Sequence, residues 1–240
     1  MTETRYILRT CCPSGESHGG FVWPLTIGAV VSAPDWNNLP VCGGGLHGLL
    51  GGVGDGDLLN WDTDAVWVVA EVPADAGVVD LDGKVKVEKC VVAHVGDMAS
   101  CAAFLVDRGC DGPIVGRTAT AENEGTATAG DGGTATAGDE GTATAGDGGT
   151  ATAGYKGTAT AGDEGTATAG DEGTAMAGYG GTATAGDKGV IIVSYYKDGE
   201  YLRKVGQIGE GGLKAEVAYR VDPETCEFVE GTCLAMEDSP

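Results

Sequence analysis

The chain has 240 residues, 36 acids against 14 bases, and a formal charge of −22. A surface this negative repels nucleic acid and anionic membranes and attracts basic partners. Glycine is abundant at 44 residues and aromatics are scarce at 6%, yet strict periodicity in the middle of the chain argues for an ordered repeat array rather than disorder.

The N-terminus, MTETRYILRT, lacks a basic start followed by an apolar run, and no stretch reaches transmembrane length. A cytoplasmic protein without membrane association is therefore expected. Its eight cysteines are then expected as thiols. No CxxC pair occurs, and Cys42 with His47 supplies only two of the four ligands a structural zinc site needs. Neither metal nor cofactor is expected.

Residues 1–116 read as an N-terminal α+β capping domain. YILRT and VWVVAEV have strand character, and VVDLDGKVKV reads as strand, DG turn, strand. DMASCAAFLVDRG reads as a helix with Asp97 as N-cap and Gly109 as its stop. LLNWDTDA suggests a short helix or turn around Trp61, and CGGGLHGLLGGVGDGD a glycine-rich loop. That loop lacks GxxxxGK[ST] and places Asp55 and Asp57 where a phosphate would sit, so a nucleotide site is rejected. His18, His47 and His94 lack a partner nucleophile and read as structural, so no enzyme is expected. All four tryptophans, Trp23, Trp36, Trp61 and Trp67, belong to this segment.

Residues 117–196 are an octapeptide repeat. GTATAG recurs from Gly125 to Lys188, with Met176 in one copy, between a degenerate first copy (RTATAENE, 117–124) and last copy (GVIIVSYY, 189–196). The Thr-Ala-Thr-Ala alternation puts threonines on one face and alanines on the other, and Gly-Asp-x forms the corner. Each octad is one strand plus one turn of a β-solenoid. Two octads per coil stack Glu140, Lys156, Glu172 and Lys188 in a column of alternating sign, whereas three would stack Glu140 on Glu164; opposite charges on neighbouring strands help. The other corner collects Asp131, Asp147, Asp163 and Tyr179, with Glu164, and keeps its negative charge. About five coils give a rod of roughly 24 Å. Alanine methyls at about 0.8 kcal/mol each make a thin core, so capped ends are required.

Residues 197–240 read as a C-terminal β cap. YYKDGEYLRKVGQI is a hairpin across Asp198-Gly199, and EVAYRVD with CEFVEG is a second pair around Pro223. Tyr195, Tyr196, Tyr201, Val217, Tyr219 and Phe228 exceed what so short a segment buries alone. They are expected to pack on the solenoid end or to form a homodimer.

The CGGGLHG…DGDLLNW…VDLDGKVK signature, followed by GTATAG repeats and a YY-x-DG hairpin, resembles a family of phage- and prophage-associated proteins with no activity to transfer. The repeat alone is similar to those of bacterial ice-nucleation proteins, where TxT sits on a sixteen-residue coil. A phage setting implies the cytoplasm of a bacterial host cell.

Three functions compete. The first is a non-enzymatic acidic rod that mimics nucleic acid and occupies the basic surface of a host nuclease or CRISPR effector, an anti-CRISPR or anti-restriction inhibitor. Its contact residues are expected to be Asp131, Asp147, Asp163 and Glu164, then Asp139, Glu140, Asp171 and Glu172. Against it, the repeat is no more densely charged than the rest of the chain. The second is ice binding through ranked TxT threonines, although threonine is also a good strand residue. The third makes the repeat a spacer in a virion, with a binding N-terminal domain. The first is the leading expectation.

Overall fold

The computed structural model describes residues 4–17 and 20–231; His18 lies outside them. The chain forms two compact units, the first ending at Val115 and the second beginning at Gly116. It is mainly β, with one α-helix among the described residues.

The first unit is an antiparallel seven-stranded sheet. Its strands are β1 (Arg5–Cys11), β2 (Val30–Ser32), β3 (Leu46–Leu50), β4 (Val66–Val72), β5 (Val78–Asp80), β6 (Val85–Val87) and β7 (Lys89–Gly96), in the order β2-β7-β4-β1-β3-β6-β5. Alternation along β1 and β4 feeds two cores. Tyr6, Leu8, Trp67 and Val69 face one side with Leu105 and Ile114, while Ile7, Val68, Ala70 and Val72 face the other with Trp23 and Val87. Burial on both faces is why VWVVAEV is almost wholly apolar.

Helix α1 (Met98–Asp107) follows β7. Asp97 accepts the Ser100 N–H at 2.8 Å while the Asp97 N–H donates to Ser100 Oγ at 3.1 Å, a reciprocal cap. At the other end Gly109 takes φ +84°. There Gly109 N–H donates to Val106 O and Cys110 N–H to Leu105 O, the two bonds of a Schellman motif.

One local expectation needs correction, and the short helix or turn expected around Trp61 is present. The stretch expected as a glycine-rich loop contains β3, which pairs with β1 and β6. Its glycines serve close packing: a Cβ on Gly48 would lie 2.9 Å from Leu8 O, and one on Gly45 would lie 3.0 Å from Lys86 Cβ. Strand pairing outweighs the turn propensity that glycine suggests. Around Trp61 the chain makes a short 3-10 turn at Gly56–Leu58, and the indole Nε1 donates back to Gly56 O at 3.0 Å.

The second unit is the β-solenoid. One parallel sheet stacks β8 (Thr118–Ala121), β10 (Thr134–Ala137), β12 (Thr150–Ala153), β14 (Thr166–Ala169) and β16 (Thr182–Ala185). The other stacks β9 (Thr126–Thr128), β11 (Thr142–Ala145), β13 (Thr158–Ala161), β15 (Thr174–Ala177) and β17 (Val190–Lys197). Thr134 pairs with Thr150 and Thr142 with Thr158, so sixteen residues make one coil. The alanines of both sheets point inward and form the core.

In the last coil Ile191 and Val193 replace alanines under Ala175 and Ala177. Antiparallel strands then end both sheets. β17 pairs with β18 (Glu200–Gln207), and β16 pairs with β19 (Tyr219–Val221), which pairs with β20 (Phe228–Glu230). Ile208, Tyr219 and Val221 are buried against the alanine core. The β17–β18 hairpin turns at Asp198 and Gly199, both at positive φ, as a two-residue type I′ turn requires.

Candidate functional site

The outer faces of the two solenoid sheets differ. On the β8–β16 sheet five ranks stand in register, Thr118/Thr120, Thr134/Thr136, Thr150/Thr152, Thr166/Thr168 and Thr182/Thr184, but Thr182 is buried, so four of them are complete on the open face. The opposite sheet has three, Thr126/Thr128, Thr142/Thr144 and Thr158/Thr160, then Thr174 with Met176 and Val190 with Ile192. The sequence contains this asymmetry, but only when alternate octads are read separately.

Coils lie about 4.8 Å apart and threonines of one rank about 6.7 Å. Parallel stacking fixes both spacings, and β-branching restricts χ1. The result is a flat grid of hydroxyls and methyls that its backbone holds in place. Thr182 Oγ1 reaches Thr166 Oγ1 at 3.4 Å. Such a grid presents ordered hydrogen-bonding groups to water and has no group placed for covalent chemistry.

The corners explain the remaining positions of the octad. Gly130 to Gly133 closes a turn with Gly133 N–H on Gly130 O at 3.0 Å and Gly132 at φ +61°, a type II pattern. The next residue at the equivalent of Gly132 on the other edge is Glu140 at φ +56°, and Lys156, Glu164, Glu172 and Lys188 share that left-handed conformation. The eighth position is therefore a glycine site that also carries charged residues.

The carboxylates expected to meet a partner are built into these turns. Asp131 Oδ1 accepts the Asp147 N–H at 3.0 Å, Asp147 Oδ1 the Asp163 N–H at 2.8 Å, and Asp163 Oδ1 the Tyr179 N–H at 2.7 Å. On the other edge Asp139 Oδ1 accepts from Tyr155 N–H and Asp171 Oδ1 from Asp187 N–H. Asn123 does the same for Asp139. Each side chain satisfies a backbone donor of the next coil. Sequence reasoning missed this job, although the local bonding habit of Asp and Asn at turns was a signal for it.

The Glu/Lys column forms as expected in part: Lys156 Nζ lies 3.5 Å from Glu172. Tyr155, whose ring centroid is 4.9 Å from that ammonium, and then Glu172 hold Lys156 above the usual lysine value. Glu140 and Glu164 occupy the strained eighth position on opposite edges, so the structure does not gather the eight expected contact residues onto one surface.

In the first unit, Trp23 and Trp67 are buried and Trp61 is exposed, so the tryptophans form no single exposed cluster. Burial pushes the thiols of Cys90 and Cys101 up to about 12, too high for thiolate chemistry at neutral pH. Among the described residues no group of three or more His, Cys, Asp or Glu gathers where a metal could sit, and no helix is long and apolar enough to cross a membrane.

The second unit is thus a parallel β-solenoid of sixteen-residue coils carrying a ranked threonine grid. The chain is similar to ice nucleation proteins of bacteria. It is 37% identical over 106 residues to the ice nucleation protein InaU of Pantoea ananas, covering 44% of this chain and 10% of that one. Over 107 residues it is 36% identical to the ice nucleation protein of Pseudomonas syringae, 44% of this chain and 9% of that one. With that of Xanthomonas campestris pv. translucens it shares 49% over 106 residues, 44% of this chain and 7% of that one. The chain therefore spans a tenth or less of these relatives. No protein-family model matches it, and no solved structure matches significantly.

These relatives overturn the leading expectation. They are ice nucleation proteins, not inhibitors of nucleases or CRISPR effectors, and the reading as an anti-CRISPR or anti-restriction mimic is withdrawn. The cytoplasmic placement, expected from the N-terminus and from the phage setting, is also withdrawn in view of these relatives.

Proposed function

We propose that the solenoid unit is a non-enzymatic ice-binding element, and that the β8–β16 sheet is its working face. The observation that carries this is the in-register stacking of TxT ranks, four complete and a fifth in which Thr182 is buried and Thr184 remains, in a chain whose relatives are ice nucleation proteins. Fixed hydroxyls at two regular spacings hold a layer of water in a fixed lattice, and the methyls between them limit competing hydration geometries. The grid pays no ordering entropy when water docks, because strand pairing has already fixed it.

Size sets the expected strength. Five ranks span roughly 19 Å at strand spacing, while the relatives are chains about ten times the aligned length. A patch this short adsorbs to existing ice, and it is too small to nucleate ice near the melting point. The resemblance of the N-terminal signature to phage-associated proteins adds a setting and no activity. Pairing of two copies through the C-terminal segment is kept as part of the proposal, since β18 exposes Tyr201, Leu202 and Val205.

The test is slow growth of polycrystalline ice from a dilute solution of the full chain. Enrichment of the protein in the ice fraction is expected, with droplets freezing near the temperature of buffer alone. Exclusion from ice to the extent of a control globular protein would refute the proposal.

A further inference from the structure

The first unit contains a cavity of about 920 Å³ that the threonine grid does not use. Its size suits a small molecule. Arg9 and Trp23 line it, and the guanidinium carbon of Arg9 lies 4.1 Å from the Trp23 ring centroid. Arg9 Nη1 donates to His47 O at 3.2 Å and Nη2 to Thr10 O at 3.3 Å. Arg9 Nε and Trp23 Nε1 are both buried and have no acceptor among the described residues. Two orphan donors thus belong to one stacked pair in the wall of one cavity.

Arg9 is also a cation without an ionic partner among the described residues. Burial lowers its value to about 10, and the only groups pulling the other way are the thiols of Cys11 and Cys90, which are uncharged at neutral pH. A buried cation and buried donors both call for an anionic acceptor. The potential of the cavity agrees. His47, which lines it, is held below the usual histidine value, first by burial and then by Lys84, Lys86 and Arg9. At His47 itself these three cations outweigh the opposing carboxylate of Asp35.

Lys86 is not available to a ligand, since its ammonium is fully buried on Asn37 Oδ1, Val41 O and Gly43 O. Lys84, at the cavity wall, is less enclosed and contacts Cys42 Sγ at 3.6 Å. Glu16, Asp35 and Asp57 also line the cavity and oppose a multiply charged ligand. One buried guanidinium edge, opposed by nearby carboxylates and bordered by Phe21 and Leu58, suits a planar monoanion with an apolar body.

We infer that this cavity binds a small organic monocarboxylate, its carboxylate on Arg9 with the Trp23 indole N–H as a second donor and Lys84 steering it from the wall. The site is independent of ice binding by the solenoid.

Benzoate is the probe, with benzamide as its neutral counterpart and inorganic phosphate as the alternative anion. Each is titrated into the full chain by calorimetry and by the indole N–H resonances in nitrogen-15 spectra, Trp23 being assigned with Trp23→Phe. Benzoate is expected to bind once per chain, to shift the Trp23 indole resonance, and to bind at least ~10-fold more tightly than benzamide, the factor one charge-assisted hydrogen bond supplies. Arg9→Gln should abolish binding. Lys84→Glu, which leaves the core untouched, should weaken it several-fold even if Arg9→Gln fails to fold. Equal binding of benzamide, preference for phosphate over benzoate, or unchanged affinity in Lys84→Glu would each overturn the assignment.

Discussion

Asp147 Oδ1 accepts the backbone N–H of Asp163 at 2.8 Å, although the two residues are sixteen positions apart. The same Asp147 donates its own N–H to Asp131 Oδ1 at 3.0 Å. The carboxylates on this edge are therefore links in a chain of coil-to-coil bonds, and the acidity of the repeat is partly a consequence of how it stacks.

That role needs an acceptor and not a charge, as Asn123 demonstrates by capping Asp139. Asp147→Asn should leave stability within about 0.5 kcal/mol, whereas Asp147→Ala should cost ~1 kcal/mol, the net worth of a hydrogen bond with its donor left over. Urea unfolding of the two variants measures the difference. Equal losses would show that the charge matters and the bond does not.

The sixth residue of the octad is glycine because the backbone of the preceding coil, and on most coils this carboxylate, lies over it. A Cβ on Gly146 would collide with Asp131 Oδ1 and lie 2.7 Å from Asp131 N. Gly146→Ala should destabilise the solenoid by about 1–3 kcal/mol, and less in an Asp131→Ala background. A double-mutant cycle with no coupling would separate the glycine from the carboxylate.

Glu140 sits at φ +56° while Gly132 and Gly148 fill the equivalent place on the other edge. Left-handed backbone costs a non-glycine residue ~1 kcal/mol. Glu140→Gly should raise stability by up to about 1 kcal/mol, read from the unfolding midpoint. Glu172→Gly should gain less, because it also removes the contact with Lys156.

In the first unit, hydrogen bonds from the Ser100 N–H and hydroxyl hold the Asp97 carboxyl below the usual aspartate range. A carboxyl with a depressed folded value contributes stability above its unfolded value, and that contribution is lost as pH falls through the folded value. Between pH 5 and pH 2.5 the wild-type chain should therefore lose more stability than Asp97→Asn, which keeps a cap that does not titrate. Denaturant melts of the first-unit tryptophan signal at the two pH values test this, and parallel losses would contradict it.

The coil length was legible because charge alternation at Glu140, Lys156, Glu172 and Lys188 distinguishes two octads per coil from three, and the stacking of Thr134 on Thr150 agrees. Helix α1 and the Asp198-Gly199 hairpin were legible because capping and turn chemistry are local. β3 was not, since its glycines answer to Leu8 and Lys86, distant in sequence. The use of the aspartates was legible only in part, because the turn habit of Asp hints at a backbone partner but does not say that the partner lies sixteen positions on. Function was misjudged for the same reason: net charge describes a surface without saying which of its charges are already engaged. The orphan donors of Arg9 and Trp23 are likewise a property of packing alone.

The most direct test of the account compares ice adsorption by Thr152→Lys and Thr144→Lys. Thr152 lies in the central rank of the five-rank sheet, and Thr144 in the middle of the three complete ranks opposite. Both side chains point out of the solenoid, so circular dichroism should match the wild type. If the β8–β16 face binds ice, Thr152→Lys should abolish enrichment in the ice fraction while Thr144→Lys retains most of it. Full adsorption by Thr152→Lys, with its fold intact, would contradict the central claim.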